Sequence, residues 1–117
     1  MTDHDDPVTE LLKRARRRIS RPEQWTTGTY ARDRAEDACS PTGAGAVRFC
    51  ALGALEASLP NGEGRRRREG WYERFFEARR RLQTAAGGGP PVRIQQCNDR
   101  DGHAAVLAMY DEAIRQK

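Results

Sequence analysis

Trp25, Tyr30, Arg32, Asp33, Asn98, Asp99 and His103 are the side chains in this sequence best suited to holding a small polar ligand. An indole and a phenol offer flat faces for stacking, and the Arg32 guanidinium matches a phosphate in a two-pronged fork. Asn98 and Asp99 can donate to and accept from a base or a ribose. If a helix starts just after them, its free N–H groups add to an anion site. A nucleotide-like ligand suits this chemistry, with Trp25, Tyr30, Arg32, Asn98, Asp99 and His103 as the binding residues. The competing reading is structural: a core indole, a solvated Arg32-Asp33 pair, and an Asn-Asp step that closes a turn and caps a helix.

A second set is electrostatic. Arg65, Arg66, Arg67, Arg68, Arg74, Arg79, Arg80 and Arg81 face only Glu69, Glu73 and Glu77 between residues 65 and 81, with Trp71 and Tyr72 interleaved. Such a stretch can track a nucleic-acid backbone, and binding of that kind weakens steeply as salt is added. Basic residues of the first helix extend the patch if the two helices pack side by side. No base-reading motif accompanies it, and a solvated helix with Glu–Arg pairs, worth roughly a few tenths of a kcal/mol each, is the competing reading. The whole chain points the same way: 21 basic residues against 17 acidic ones leave a net charge of +4, which favours anionic partners. Lys13 and Lys117 are its lysines, so nearly every positive charge sits on a guanidinium, as a GC-rich genome would also produce.

Cys50 and His103 raise the question of a thiol hydrolase. The apolar run from Ala46 to Leu55, however, suggests that Cys50 lies inside a buried helix, where a free thiol behaves as a small hydrophobe. Cys39, Cys50, Cys97 and His103 are the right atom types for zinc, but no pair has the short C-x-x-C spacing of a structural site. No phosphate-binding glycine loop, Ser/His/Asp order or H-E-x-x-H pattern is present. The expectation is a protein without enzymatic machinery, cofactor or metal.

A chain of 117 residues fits a single domain spanning 1–117. Asp6-Pro7 suits a helix start, with the acidic residues 1–6 as a disordered tail, and Val8, Leu11, Leu12, Ala15 and Ile19 recur at helical spacing up to Pro22. The Trp25–Asp33 segment reads as a bend and a short strand, followed by a polar turn over residues 34–40. Ser40-Pro41 can cap a helix that becomes firm near Ala46, with Gly53 and Ala54 small enough for another backbone to approach, until Pro60-Asn61-Gly62 stops it. A third helix spans Arg66 to Ala86, and Gly87-Gly88-Gly89-Pro90-Pro91 breaks it. Val92-Arg93-Ile94-Gln95 alternates as a strand would and is a natural partner for Thr29–Arg32. The last helix, after Gly102, aligns Val106, Leu107, Tyr110, Ala113 and Ile114. The predicted fold is mainly α with a minimal β element: four helices and a two-stranded, hairpin-like pair. With neither a long apolar run nor the basic and apolar regions of a secretory signal, a cytoplasmic address without a membrane partner is expected.

Trp25-x-x-Gly28 with Ala31-Arg32-Asp33, then Phe49-Cys50-Ala51-Leu52-Gly53-Ala54-Leu55, then Asn98-Asp99 ahead of Val106-Leu107 and Ala113-Ile114 follow one another in an order that resembles an uncharacterised, domain-of-unknown-function family of small bacterial and phage proteins. Where that pattern places an aromatic before Asn-Asp, this sequence has Cys97. The resemblance covers most of the chain and implies a fold and a site location, not an activity. The leading functional expectation is a non-enzymatic accessory protein, in a phage or defence setting, that binds a phosphate-bearing, nucleotide-like ligand. The alternatives are a nucleic-acid or ribonucleoprotein binder, such as a phage inhibitor of a host nuclease complex acting through residues 65–81, and a hydrolase using Cys50 and His103.

Overall fold

The computed structural model describes residues 6–59, 70–90 and 92–116. Asp6 opens the first helix: its carboxylate accepts from the Thr9 N–H at 2.8 Å, and Pro7 fills the first helical position, where no donor is needed. This helix, α1 (Pro7–Arg18), seals Leu11, Leu12 and Ala15 from solvent, with Ile19 just beyond its end. Arg16, Arg17 and Arg18 close its last turn, where positive charge suits the carbonyl end of the helix dipole.

After a 3₁₀ turn at Pro22–Gln24 the chain becomes extended. β1 (Ala31–Arg32) pairs antiparallel with β2 (Arg48–Phe49), Ala31 opposite Phe49. Then follow α2 (Ala51–Ala57), α3 (Trp71–Ala85), α4 (Val92–Gln96) and α5 (His103–Arg115), with a π-helical turn at Cys97–Asp101 between the last two. α1 packs against α2, α3 and α5, and α3 also packs against α5, around a core that includes Leu11, Leu55, Leu82, Ile94, Val106 and Tyr110. The fold is mainly α with a two-stranded sheet, five helices against the four that periodicity suggests.

Three local expectations need correction. Val92-Arg93-Ile94-Gln95 is helical, so the partner of β1 is Arg48–Phe49. Only one apolar member of the alternation is buried, Ile94, whereas Val92 is exposed. Pro90 precedes the helix, its carbonyl accepting from Arg93 N–H at 3.0 Å, a position where proline favours a helix start. Residues 41–45 form turns, and helix begins only at Ala51, so Cys50 is the cap of α2 and not an interior residue. Its backbone is extended, and its Sγ accepts from the Gly53 N–H at 3.3 Å. α3 is described from Trp71; the segment 66–69 of the predicted helix, the Pro60-Asn61-Gly62 stop and tail residues 1–5 lie outside the described residues. The close backbone approach suggested at Gly53 is made by Tyr30, whose carbonyl oxygen would stand 1.9 Å from a Cβ added there.

Arg81 is the other correction. Grouped by sequence with the partner-binding arginines, it is only 6% exposed. One guanidinium nitrogen donates to Thr9 Oγ1 and to the Gln116 carbonyl, both at 3.1 Å. Asp6 lies 3.6 Å from another, and Glu77 3.5 Å from its Nε. Arg81 shares the inner side of α3 with Ala78 and Leu82, while Arg80, about 100° away, is exposed. The acids around this cluster are held ionised. Asp6 lies below its ordinary 3.8, chiefly through the Thr9 N–H, and Glu77 below its ordinary 4.5, chiefly through the Arg80 hydrogen bond. Both carboxylates hold protons less tightly folded than unfolded, so their contribution is complete above about pH 4.5 and is lost as pH falls through the depressed folded values. The gap in melting temperature between the native protein and Asp6→Asn/Glu77→Gln is therefore expected to hold from about pH 7 to 5 and to narrow below about pH 4.5, measured by circular dichroism.

Candidate functional site

Asn98 sits four residues after Ile94, so both point to the same inner side, and it is only 1% exposed. Its side-chain oxygen accepts from Trp25 Nε1–H at 2.7 Å and from Ala51 N–H at 2.9 Å. Its amide nitrogen donates to the Thr26 carbonyl at 3.0 Å and to Asp99 Oδ1 at 2.9 Å. The hydrogen-bonding capacity of that amide is thereby filled. Asp99 Oδ1 also accepts from Gly28 N–H at 3.3 Å. On the other side of α2's first residue, Tyr110 O–H donates to the Ala51 carbonyl at 2.6 Å, and full burial holds this phenol well above its ordinary value. The result is a clasp joining the Trp25–Gly28 bend, the start of α2, the π-helical turn and α5.

The structure thus brings Trp25, Asn98 and Asp99 together, and it commits their polar groups to one another. Arg32 is similarly engaged: Nε donates to Thr26 Oγ1, and its terminal nitrogens donate to the Glu36 and Thr27 carbonyls. Asp33 caps its own turn, accepting from Ala35 and Asp37 N–H. His103 stands apart from the cleft below, its Nε2 hydrogen-bonded with the Ile19 carbonyl and its ring 5.5 Å from that of Trp25. Tyr30 is partly exposed at a cleft of about 150 Å³, shared with Cys50, Gln95, Asn98 and Asp99. Pockets for drug-sized ligands run to roughly 300–1,000 Å³. Burial pushes the Cys50 thiol up, outweighing the Gly53 and Leu52 N–H bonds that favour the thiolate. His103 does not line this cleft, so the pairing a thiol hydrolase needs is not made there. Among the described residues, no three His, Cys, Asp or Glu side chains gather as a metal requires.

The arginines of α1, expected from the sequence only as an extension of the patch over residues 65–81, form a surface of their own. Arg14, Arg17 and Arg18 line a groove of about 420 Å³ with Ala57, Ser58 and Leu59, and among the described residues no acid lines it. Ser58 donates to the Ala54 carbonyl and accepts from Arg18 Nε at 3.0 Å, and Arg18 also lies over Phe49. Arg14 and Arg17 make no ion pair among the described residues. Arg14 and Ser58 continue into a second groove of about 240 Å³ that reaches Trp71 at the start of α3 and includes Glu10. The helical phase of residues 13–18 held this signal: Leu11, Leu12 and Ala15 face inward, which turns Arg14, Arg17 and Arg18 away.

On α3 itself the predicted arginines divide. Arg74 stacks over Trp71 at 4.5 Å and Arg79 over Phe76 at 5.1 Å, while Arg80 is paired with Glu77. Arg65, Arg66, Arg67 and Arg68 lie outside the described residues. A further groove of about 600 Å³ among α3, α4 and α5 alternates Arg93, Arg100 and Arg115 with Asp101 and Glu112, so it favours neither sign strongly. No described helix is long and apolar enough to cross a membrane.

Fold and surface together define a small, mainly helical protein locked internally by an asparagine clasp and carrying arginine-lined grooves on its outer helices. The chain belongs to a family of unknown function, DUF6197, whose family model matches residues 3–116. No curated protein and no solved structure matches it.

Proposed function

We propose that this protein binds the phosphodiester backbone of a nucleic acid through the arginine groove between α1 and the end of α2. The observation that carries the reading is that, among the described residues, Arg14, Arg17 and Arg18 line a groove without an acid and Arg14 and Arg17 make no ion pair. Guanidinium forks match phosphate oxygens, and neutralising phosphates releases condensed counterions. α1 packs on α3, which supports one continuous basic surface over both helices. The nucleotide-pocket alternative has less support, because the groups it needs at Trp25, Arg32 and Asn98 are already hydrogen-bonded within the chain. A binding role in a phage or defence setting is compatible with this chemistry, and no catalytic step is invoked.

The test is filter binding of a labelled nucleic acid between about 50 and 200 mM salt. Binding is expected to weaken steeply with salt. Arg14→Gln/Arg17→Gln should flatten the log–log slope by about 1.5, at roughly 0.7–0.9 per phosphate contact removed. An unchanged slope in that variant, or no binding by the native protein, removes the proposal.

A further inference from the structure

We infer that the nucleic acid this protein takes is single-stranded, with unpaired bases stacking on Tyr72 and Phe76 of α3. The inference rests on the backbone-binding reading above and assigns it a substrate class.

Tyr72 and Phe76 are 60% and 52% exposed, large rings left in water on one helix. They are four residues apart, which places them on one face about 6 Å apart along the axis. In a duplex the bases lie about 3.4 Å apart along each strand. Each face there is covered by a neighbour, so a protein ring reaches a base only where the strand is unstacked. Stacking of that kind tolerates any sequence, which agrees with the absence of a base-reading motif.

The charge around the rings fits the same occupant. At about 100° per residue, Arg79 falls about 20° from Tyr72 and about 60° from Phe76, while Glu77 lies about 100–140° from them and Glu73 about 60–100°. Glu77 is turned onto Arg80, its two oxygens accepting from Nε and a terminal nitrogen. Arg79 lies over the Phe76 ring, where a guanidinium can both steady the ring and meet a phosphate. Phe75 meets Phe76 edge-on at 5.7 Å, fixing it from beneath. At the start of the helix Trp71, under Arg74, borders the groove that contains Arg14. The groove with Arg14 thus reaches the first turn of the helix that carries the rings, and Arg79 supplies a cation directly at Phe76. An acidic protein surface would answer the charge but would leave the flat rings without a flat partner.

Fluorescence anisotropy with an oligothymidylate of about 15 nucleotides and a duplex of equal length decides the matter. The single strand is expected to bind at least about 10-fold tighter than the duplex. Tyr72→Ala/Phe76→Ala should lower single-strand affinity by about 10- to 100-fold while leaving duplex affinity and the salt slope unchanged. Tyr72→Ala alone, at a side chain with little to lose in folding, should cause about a 10-fold loss, and Tyr72→Phe none. Equal affinity for the two forms, or a double variant within about 2-fold of the native protein, overturns the inference. If Arg14→Gln/Arg17→Gln still flattens the salt slope in that case, the backbone reading survives alone. Binding to neither nucleic acid overturns both, and a variant that changes only the oligomeric state marks the rings as a contact between copies and overturns this inference.

Discussion

Gly53→Ala should lower the melting temperature by about 15 °C, the loss expected when about 4 kcal/mol is taken from a domain of this size. The added methyl would stand 1.9 Å from the Tyr30 carbonyl oxygen, far inside contact distance. That carbonyl cannot withdraw freely, because it accepts from the Cys50 N–H at 3.1 Å at the junction of β2 and α2. Relief requires α2 to move off the extended segment, and α2 carries Ala51, Ala54 and Leu55 into the core. Overpacking of flexible side chains usually costs about 1–3 kcal/mol; here the obstacle is backbone, so the upper end or beyond applies. Thermal unfolding followed by circular dichroism checks it, and a midpoint within about 3 °C of the native protein would contradict the close approach.

Asn98→Leu is expected to be comparably damaging for a different reason. Leucine is similar in size but makes no hydrogen bond, so it would strand Trp25 Nε1–H, Ala51 N–H and the Thr26 carbonyl. Each buried polar group left without a partner costs about 1–3 kcal/mol, giving roughly 3–5 kcal/mol once part of the loss is recovered through water. Asn98→Asp separates the contributions. The oxygen that serves Trp25 and Ala51 remains, but a carboxylate replaces the donor and faces the Thr26 carbonyl and Asp99. A buried carboxyl in that place prefers its neutral form, so its folded pKa rises above the unfolded one and the penalty grows as pH rises. The gap in melting temperature between Asn98→Asp and the native protein should widen from about pH 5 to pH 8. A gap that stays constant would mean that Asn98 is not enclosed as described.

Much of the helical frame could be read from residue types alone. Asp6-Pro7 and the spacing of Leu11, Leu12, Ala15 and Ile19 specify α1 with its start, and Val106, Tyr110 and Ala113 specify the inner face of α5. The strand pairing was harder. Val47-Arg48-Phe49 carries an alternation as good as Val92-Arg93-Ile94-Gln95, and only the pairing partner, set by the whole fold, decides between them. A second signal favoured helix at the latter: Ile94 and Asn98 are four apart, as two residues sharing an inner face must be. Cys50 gave no warning that it caps α2, since cysteine is seldom a cap and the neighbouring residues are apolar. The clasp set is partly legible, because the polar groups that suit Trp25, Asn98 and Asp99 to a ligand are the ones that bond within the chain. Sequence alone could not show that they would pair with one another across 73 positions. For the arginines, helical phase separates Arg81 from Arg79 and Arg80, and it marks Arg14 and Arg17 as outward. A count of charges along the chain does neither.

The buried Arg81 guanidinium has a topological consequence. A single nitrogen of that side chain holds Thr9, near the start of α1, and Gln116, just past the end of α5, while Gln116 returns a hydrogen bond to the Arg81 carbonyl. The opening and closing helices therefore meet at one point, and the path of the chain comes close to a ring whose clasp is an ion instead of a peptide bond. Asp6 and Gln116, the first and last described residues, are both held against this one side chain.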